Sequence, residues 1–173
     1  MSTLVEYRRA VANSGLNADE LIQRAGVSPR RAQKPTEKLP LRQLAELINI
    51  TSQRLGDPLF GVKMGVQVTP LHLGVLGSLI TLAPTLGDAI AGAARYLRVF
   101  NDGPSVSLTI DQSTAVLTYR LPELSEVDQR QHCEYVIAAC LRLIRGVVGD
   151  GWTPEQVVLG HKFRVRQSDY ESR

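Results

Sequence analysis

The chain is poor in the residues that usually carry chemistry. Cysteine occurs twice in 173 residues, at Cys133 and Cys140, seven positions apart in a segment that reads as one helix. Two helical turns separate such positions by roughly 10 Å along the axis, which excludes a disulfide and predicts reduced, cytoplasmic thiols. No apolar run reaches the roughly 18 residues that span a bilayer. The segment from Met1 to Arg9 lacks a basic start followed by an apolar stretch, so no secretory leader is expected. Charge of one sign is weak as well. Twenty Lys and Arg against 17 Asp and Glu leave +3, too little for nucleic-acid binding by charge alone.

Metal and catalytic signatures are missing too. The histidines are His72, His132 and His161, predicted on a loop, at the start of a long helix and in a strand. None belongs to an HxxxH, HExxH or CxxC pattern, so neither a metal nor another cofactor is expected. His132 and Cys133 are adjacent on a helix and cannot face one another. The glycines in Gly61-x-x-x-Gly65 and Gly74-x-x-Gly77 form neither a GxGxxG turn nor a Walker loop, so close helix packing explains them better than a phosphate cradle.

What is present is a well-patterned scaffold. At 43% hydrophobic and 21% charged residues the composition suits one globular domain. Leu4, Tyr7 and Val11 make an apolar stripe that stops at Ser14-Gly15. Asn17 with Glu20 predicts a capped second helix, Ala18 to Ala25, ended by Gly26. Residues 27–40, broken by Pro29, Pro35 and Pro40, read as a basic loop with a single helical turn. Leu41 to Leu55 is a third helix ending at Gly56. A short helix at 58–64 follows, then a glycine-containing helix near 73–82. The next helix, 86–100, is capped by Thr85 and Asp88 and buries Ile90, Ala93, Ala94, Leu97 and Phe100.

Asn101 to Pro104 reads as a turn. Residues 106–110 and 115–119 then alternate with period two and predict a β-hairpin with one buried face. The longest helix is expected from about Glu126 to Val148. Its stripe is Tyr135, Val136, Ala139, Cys140, Leu143, Ile144, Val147 and Val148. Val157 to Leu159, with Phe163 and Val165, suggests a further strand. The fold class is thus α+β: a helical N-terminal part, then a small antiparallel sheet packed on long helices, the sheet incomplete in this fragment because its last strand leaves an open edge.

Two constellations could bind something. Arg95 and Tyr96 on the 86–100 helix, with Arg98 beside them, and Tyr135 and Cys140 on the long helix could line a small-molecule pocket against the hairpin, tyrosine hydroxyls and a guanidinium supplying the polar anchors. Read plainly, the tyrosines are core-rim aromatics and the arginines are solvated. The 18–34 segment imitates a helix-turn-helix with Arg30 and Arg31 ready for DNA phosphates. Pro35 leaves its second helix about five residues, short for a recognition helix.

The motifs Asp57-Pro58-x-Phe60-Gly61-Val62-Lys63-Met64-Gly65, Pro70-x-x-Leu73-Gly74-x-Leu76-Gly77 and Pro84-Thr85-Leu86-Gly87-Asp88-Ala89-Ile90 with Arg95-Tyr96 resemble the N-terminal effector domain of AraC/XylS-type transcriptional regulators. They are similar to the subgroup with an "arabinose-binding" N-terminal domain. Gly15-Leu16-Asn17, Leu39-Pro40-Leu41 and Pro154-x-x-Val157 extend the resemblance over nearly the whole chain. It implies that residues 1–173 are a single sensor domain of a longer regulator, whose C-terminal helix-turn-helix DNA-binding domain lies outside this chain. It also implies a small-molecule effector, a homodimer, a cytoplasmic location and no enzymatic activity. The long helix is the first candidate for the dimer surface, although its stripe is equally explained by the core. With 5% aromatics and a single Trp152, near a predicted turn, nothing singles out a sugar as effector. Two other readings stay open: an enzyme with a pocket between helices and hairpin, and a DNA-binding module using residues 18–34.

Overall fold

The structure, a computed structural model, describes residues 3–33, 39–100, 104–121, 127–162, 165 and 167–171. Four helices build the main core: α1 (Thr3–Val11), α2 (Ala18–Arg24), α4 (Leu41–Leu55) and α5 (Phe60–Gly65), with the one-turn α3 (Pro29–Ala32) between α2 and α4. The predicted stripe of α1 is buried as expected, Leu4, Tyr7 and Val11 packing with Leu21, Ile22, Leu47, Ile48, Phe60 and Met64. Tyr7 is buried with its hydroxyl 2.8 Å from that of Thr51, which donates in turn to the Leu47 carbonyl. The predicted stops and starts also hold. Asn17 Oδ1 accepts from the backbone N–H of Asp19 and Glu20, and Gly56 closes α4 in the left-handed conformation at φ 61°.

After α5 come a 3-10 turn, Pro70–Leu73, then α6 (Val75–Leu82) and α7 (Leu86–Phe100). Thr85 Oγ1 accepts from the Asp88 N–H and donates to its carboxylate at 2.7 Å, so the cap of α7 is the one its sequence specifies. A hairpin of β1 (Ser105–Asp111) and β2 (Thr114–Arg120) pairs antiparallel from Ser105↔Arg120 to Asp111↔Thr114. The long α8 (Arg130–Val148) and the short α9 (Gln167–Glu171) complete the described fold.

The spine of the molecule is the contact of α5 with α8. A Cβ on Gly61 would collide with the Gln131 carbonyl, and one on Gly65 would lie 2.7 Å from Ala138 Cβ and collide with the Tyr135 carbonyl. The two glycines therefore let backbone meet backbone. Gln131 seals the contact. Its Oε1 accepts from the Gly61 N–H at 2.7 Å and its Nε2 donates to the Pro58 carbonyl at 2.6 Å. Asp57 holds the start of α5, accepting from the Leu59 N–H and pairing with Lys63 Nζ at 2.6 Å.

Three expectations need correction. Residues 157–162 form no strand; they run irregularly along α8, and Val158 is 76% exposed. An apolar alternation supplies no hydrogen-bond partner, and β2 is not joined by a third strand, so the sheet is two-stranded among the described residues. The hairpin also lacks a fully buried face. Val106 is buried at its base, while Ile110 and Val116 near the tip stand in solvent. Finally, α8 does not bury its whole apolar stripe. Val147 and Val148 are exposed, whereas Arg130, Gln131, His132 and Glu134 are buried, each engaged by a neighbouring group. The long helix also begins later than the expected Glu126, at Arg130, residues 127–129 being non-helical, whereas the expected turn at 101–103, the Phe100 side chain, the break at Pro35 and Phe163 lie outside what is described.

Candidate functional site

Helix α8 carries polar groups on two faces, and each face meets a different part of the chain. On the first, β2 brings Tyr119 to His132, hydroxyl to Nε2 at 3.2 Å, and the His132 ring lies 6.0 Å from that of Tyr135. Burial dominates their electrostatics: it pushes His132 down to about 4, keeping it neutral, and Cys140 up to about 11. Tyr119 and Tyr135 are both raised by burial, with Cys140 adding to each. Glu6 of α1 adds to the rise of Tyr135, and Glu6 is itself raised to about 7 by desolvation, with His72 Nδ1 3.5 Å from its carboxylate. A thiol and phenols held protonated donate and accept hydrogen bonds, and a neutral imidazole with a lowered pKa is a weak base.

On the second face, Arg130 NH1 lies 3.1 Å from Glu134 Oε1 and also donates to the Pro58 carbonyl. Tyr170 of α9 donates to the same Oε1 at 2.9 Å, which lifts its own phenol to about 12, burial being the largest cause. His161 Nε2 stands 3.8 Å away. The Glu134 side chain is 1% exposed, and among the described residues its Oε2 has no hydrogen-bond partner. Glu134 lines a cleft of about 620 Å³ between α8, Val62 of α5 with Val66 just past its end, and the 153–159 segment. That volume falls in the range of small-molecule sites.

The structure brings together two of the four residues expected to line a pocket. Tyr135 and Cys140 share the first face with Tyr119 and His132, whereas Arg95 stands exposed on α7 and Tyr96 is half-buried there. The Arg98 side chain lies outside what is described. Arg30 is exposed and Arg31 half-buried on α3, whose four residues make a single turn. Sequence reasoning missed Tyr119, Glu6, Glu134 and Tyr170. The one available signal was Arg130-x-x-x-Glu134, a pair at the spacing that joins side chains along a helix.

No group of three His, Cys, Asp or Glu among the described residues is placed to hold a metal ion, and no helix among them is long and apolar enough to cross a membrane. A small α+β domain with a lined cleft of this size has room for a small-molecule ligand. The comparison with known families agrees. The model described as the arabinose-binding domain of AraC transcription regulator, N-term, matches residues 15–172, and the chain belongs to that family. It is also similar to the ornithine utilization regulator of Pseudomonas aeruginosa, 27% identical over 107 residues, which cover 62% of this chain and 32% of that protein. The matched stretch thus spans about a third of the relative's length.

Proposed function

We propose that this domain senses a small-molecule effector and conveys its presence to DNA-binding domains elsewhere in a longer, cytoplasmic, dimeric regulator. The observation that carries the reading is the cleft along α8, joined to a family match covering residues 15–172. The mechanism is linkage. An effector that binds one arrangement of the domain or dimer better than another shifts the population toward it, by no more than its differential affinity.

The domain is read as non-enzymatic, a reading supported by the family match and by a thiol and phenols held protonated by burial. The DNA-contact reading of Arg30 and Arg31 is disfavoured by the single turn of α3. The pocket expected around Tyr135 and Cys140 has one observation in its favour: His132 Nδ1 is buried with no hydrogen-bond partner among the described residues. A thermal-shift screen of metabolites against the chain tests the proposal. A ligand that binds the folded state raises its midpoint with concentration. If no metabolite class does so, the reading falls, and salt-dependent binding of duplex DNA that Arg30→Ala with Arg31→Ala abolishes would put a DNA-binding module in its place.

A further inference from the structure

The cleft on α8 has an order that bears on what it takes, granted that it is the sensing site. One stripe of the helix lines it: Glu134, Ile137, Ala138, Leu141, Arg142 and Arg145. An acid stands at the N-terminal end, two arginines at the other, and only apolar side chains between. Val62, Val66, Val157 and Leu159 add apolar walls, while Glu155, Gln156 and Tyr170 add polar groups to the lining.

Glu134 faces this cleft with one oxygen engaged and one idle. Oε1 accepts from Arg130 and Tyr170, while Oε2 is sealed from solvent without a partner among the described residues. A buried carboxylate oxygen in that state calls for a donor, and a charged one makes the stronger bond. The arginines keep donors to spare. Arg145 uses Nε on the Trp152 carbonyl, and Arg142 lies 3.9 Å from Asp150 on the surface, whereas a guanidinium has five N–H groups. Eight positions separate Glu134 from Arg142, roughly 12 Å of helix. Asp150 and Trp152 draw both arginine heads toward the C-terminal end of α8, so the charges stand at least roughly 12 Å apart. Five methylenes hold an ammonium and a carboxylate roughly 7 Å apart, and a charge-assisted hydrogen bond of about 2.8 Å at each end extends the reach to roughly 12–13 Å.

We propose that the cleft takes an aliphatic zwitterion, its ammonium on Glu134, its methylene chain on Ile137, Ala138 and Leu141, and its carboxylate on Arg142 and Arg145. This rests on the sensing reading and narrows it to one ligand chemistry. Neither charge alone suffices, because a lone amine leaves the arginines unmet and a lone acid leaves Oε2 unmet.

The test is calorimetric titration of the chain with δ-aminovalerate and ε-aminocaproate, against hexylamine and caproate as single-charge controls. Saturable binding of an amino acid at least tenfold tighter than either control is expected. The double change Arg142→Gln with Arg145→Gln, made at an exposed and a half-buried position, weakens it at least tenfold. Glu134→Gln does the same; if that variant fails to fold, by circular dichroism, the arginine pair decides. Equal binding of caproate or hexylamine overturns the proposal, as does an unchanged Kd in the arginine variant. If these zwitterions fail while another metabolite class stabilises the chain, the zwitterion falls and the sensing reading stands. If every class fails, both fall.

Discussion

Replacing Gly65 by alanine isolates the contact on which α8 rests. In an open helix this change gains about 1 kcal/mol, because glycine is the poorer helix former. Here the new methyl lies 2.7 Å from Ala138 Cβ and runs into the Tyr135 carbonyl. A backbone carbonyl has no rotamer to move aside, so the overpacking cost sits at or above the usual upper value of about 3 kcal/mol. Pushing α5 from α8 also strains the 2.7 Å hydrogen bond from the Gly61 N–H to Gln131, worth about 1 kcal/mol. The net expectation is a loss of about 2–3 kcal/mol, or roughly 4–12 °C in melting midpoint for a chain of this length. Gly92→Ala on α7 is the control, because nothing lies within 4 Å of its added methyl. It should leave the midpoint unchanged or raise it. Both variants are followed by thermal and urea unfolding. A Gly65→Ala midpoint within about 1 °C of the parent refutes close packing at this contact.

Glu6→Gln reports on the buried carboxyl beside His72 and Tyr135. Its folded pKa of about 7 lies above the ordinary 4.5, so ionising it costs stability as pH rises through that window. The variant should be more stable than the parent by about 1–3 kcal/mol at pH 8 and indistinguishable from it near pH 4, as measured by urea unfolding. An equal difference at both pH values would contradict the desolvated carboxyl. Cys140, at about 11, holds roughly one thiolate in a thousand at pH 8, so thiol reagents should label it slowly in the folded chain and fast in denaturant; comparable rates in mass spectrometry would mean that the site is open. Val158→Lys, at an exposed position outside any strand, should cost less than about 0.5 kcal/mol, and a loss above 2 would restore a buried strand there.

Local signals were legible where the chain writes them in full. Asn17, Thr85 with Asp88, and Gly56 each satisfy or release backbone groups within a few residues, so their roles follow from spacing alone. The Gly61-x-x-x-Gly65 pair announced a close approach, although not its partner. The polar half of α8 was not legible. Arg130, Gln131 and Glu134 find their partners in Pro58, Gly61 and Tyr170, which lie far along the chain and leave no local signal. The segment at 157–162 failed for the opposite reason: a strand is defined by its neighbour, and apolar alternation says nothing about whether one is there. In the candidate site, Tyr135 and Cys140 were legible as pocket-lining candidates on one helix, whereas Glu134 carried no signal beyond its spacing from Arg130.

The glycine seam between α5 and α8 has a mechanical side. Side chains at an interface absorb small displacements by changing rotamer, so a shift on one side fades before it reaches the other. Where backbone lies on backbone there is no such cushion. Gln131 pins the start of α8 to Pro58 and Gly61, and Asn49 of α4 donates to the Asp128 carbonyl just before it. A nudge at Glu134, three residues along, therefore travels as motion of whole helices. In this molecule the absence of two side chains is what makes α8 a stiff lever.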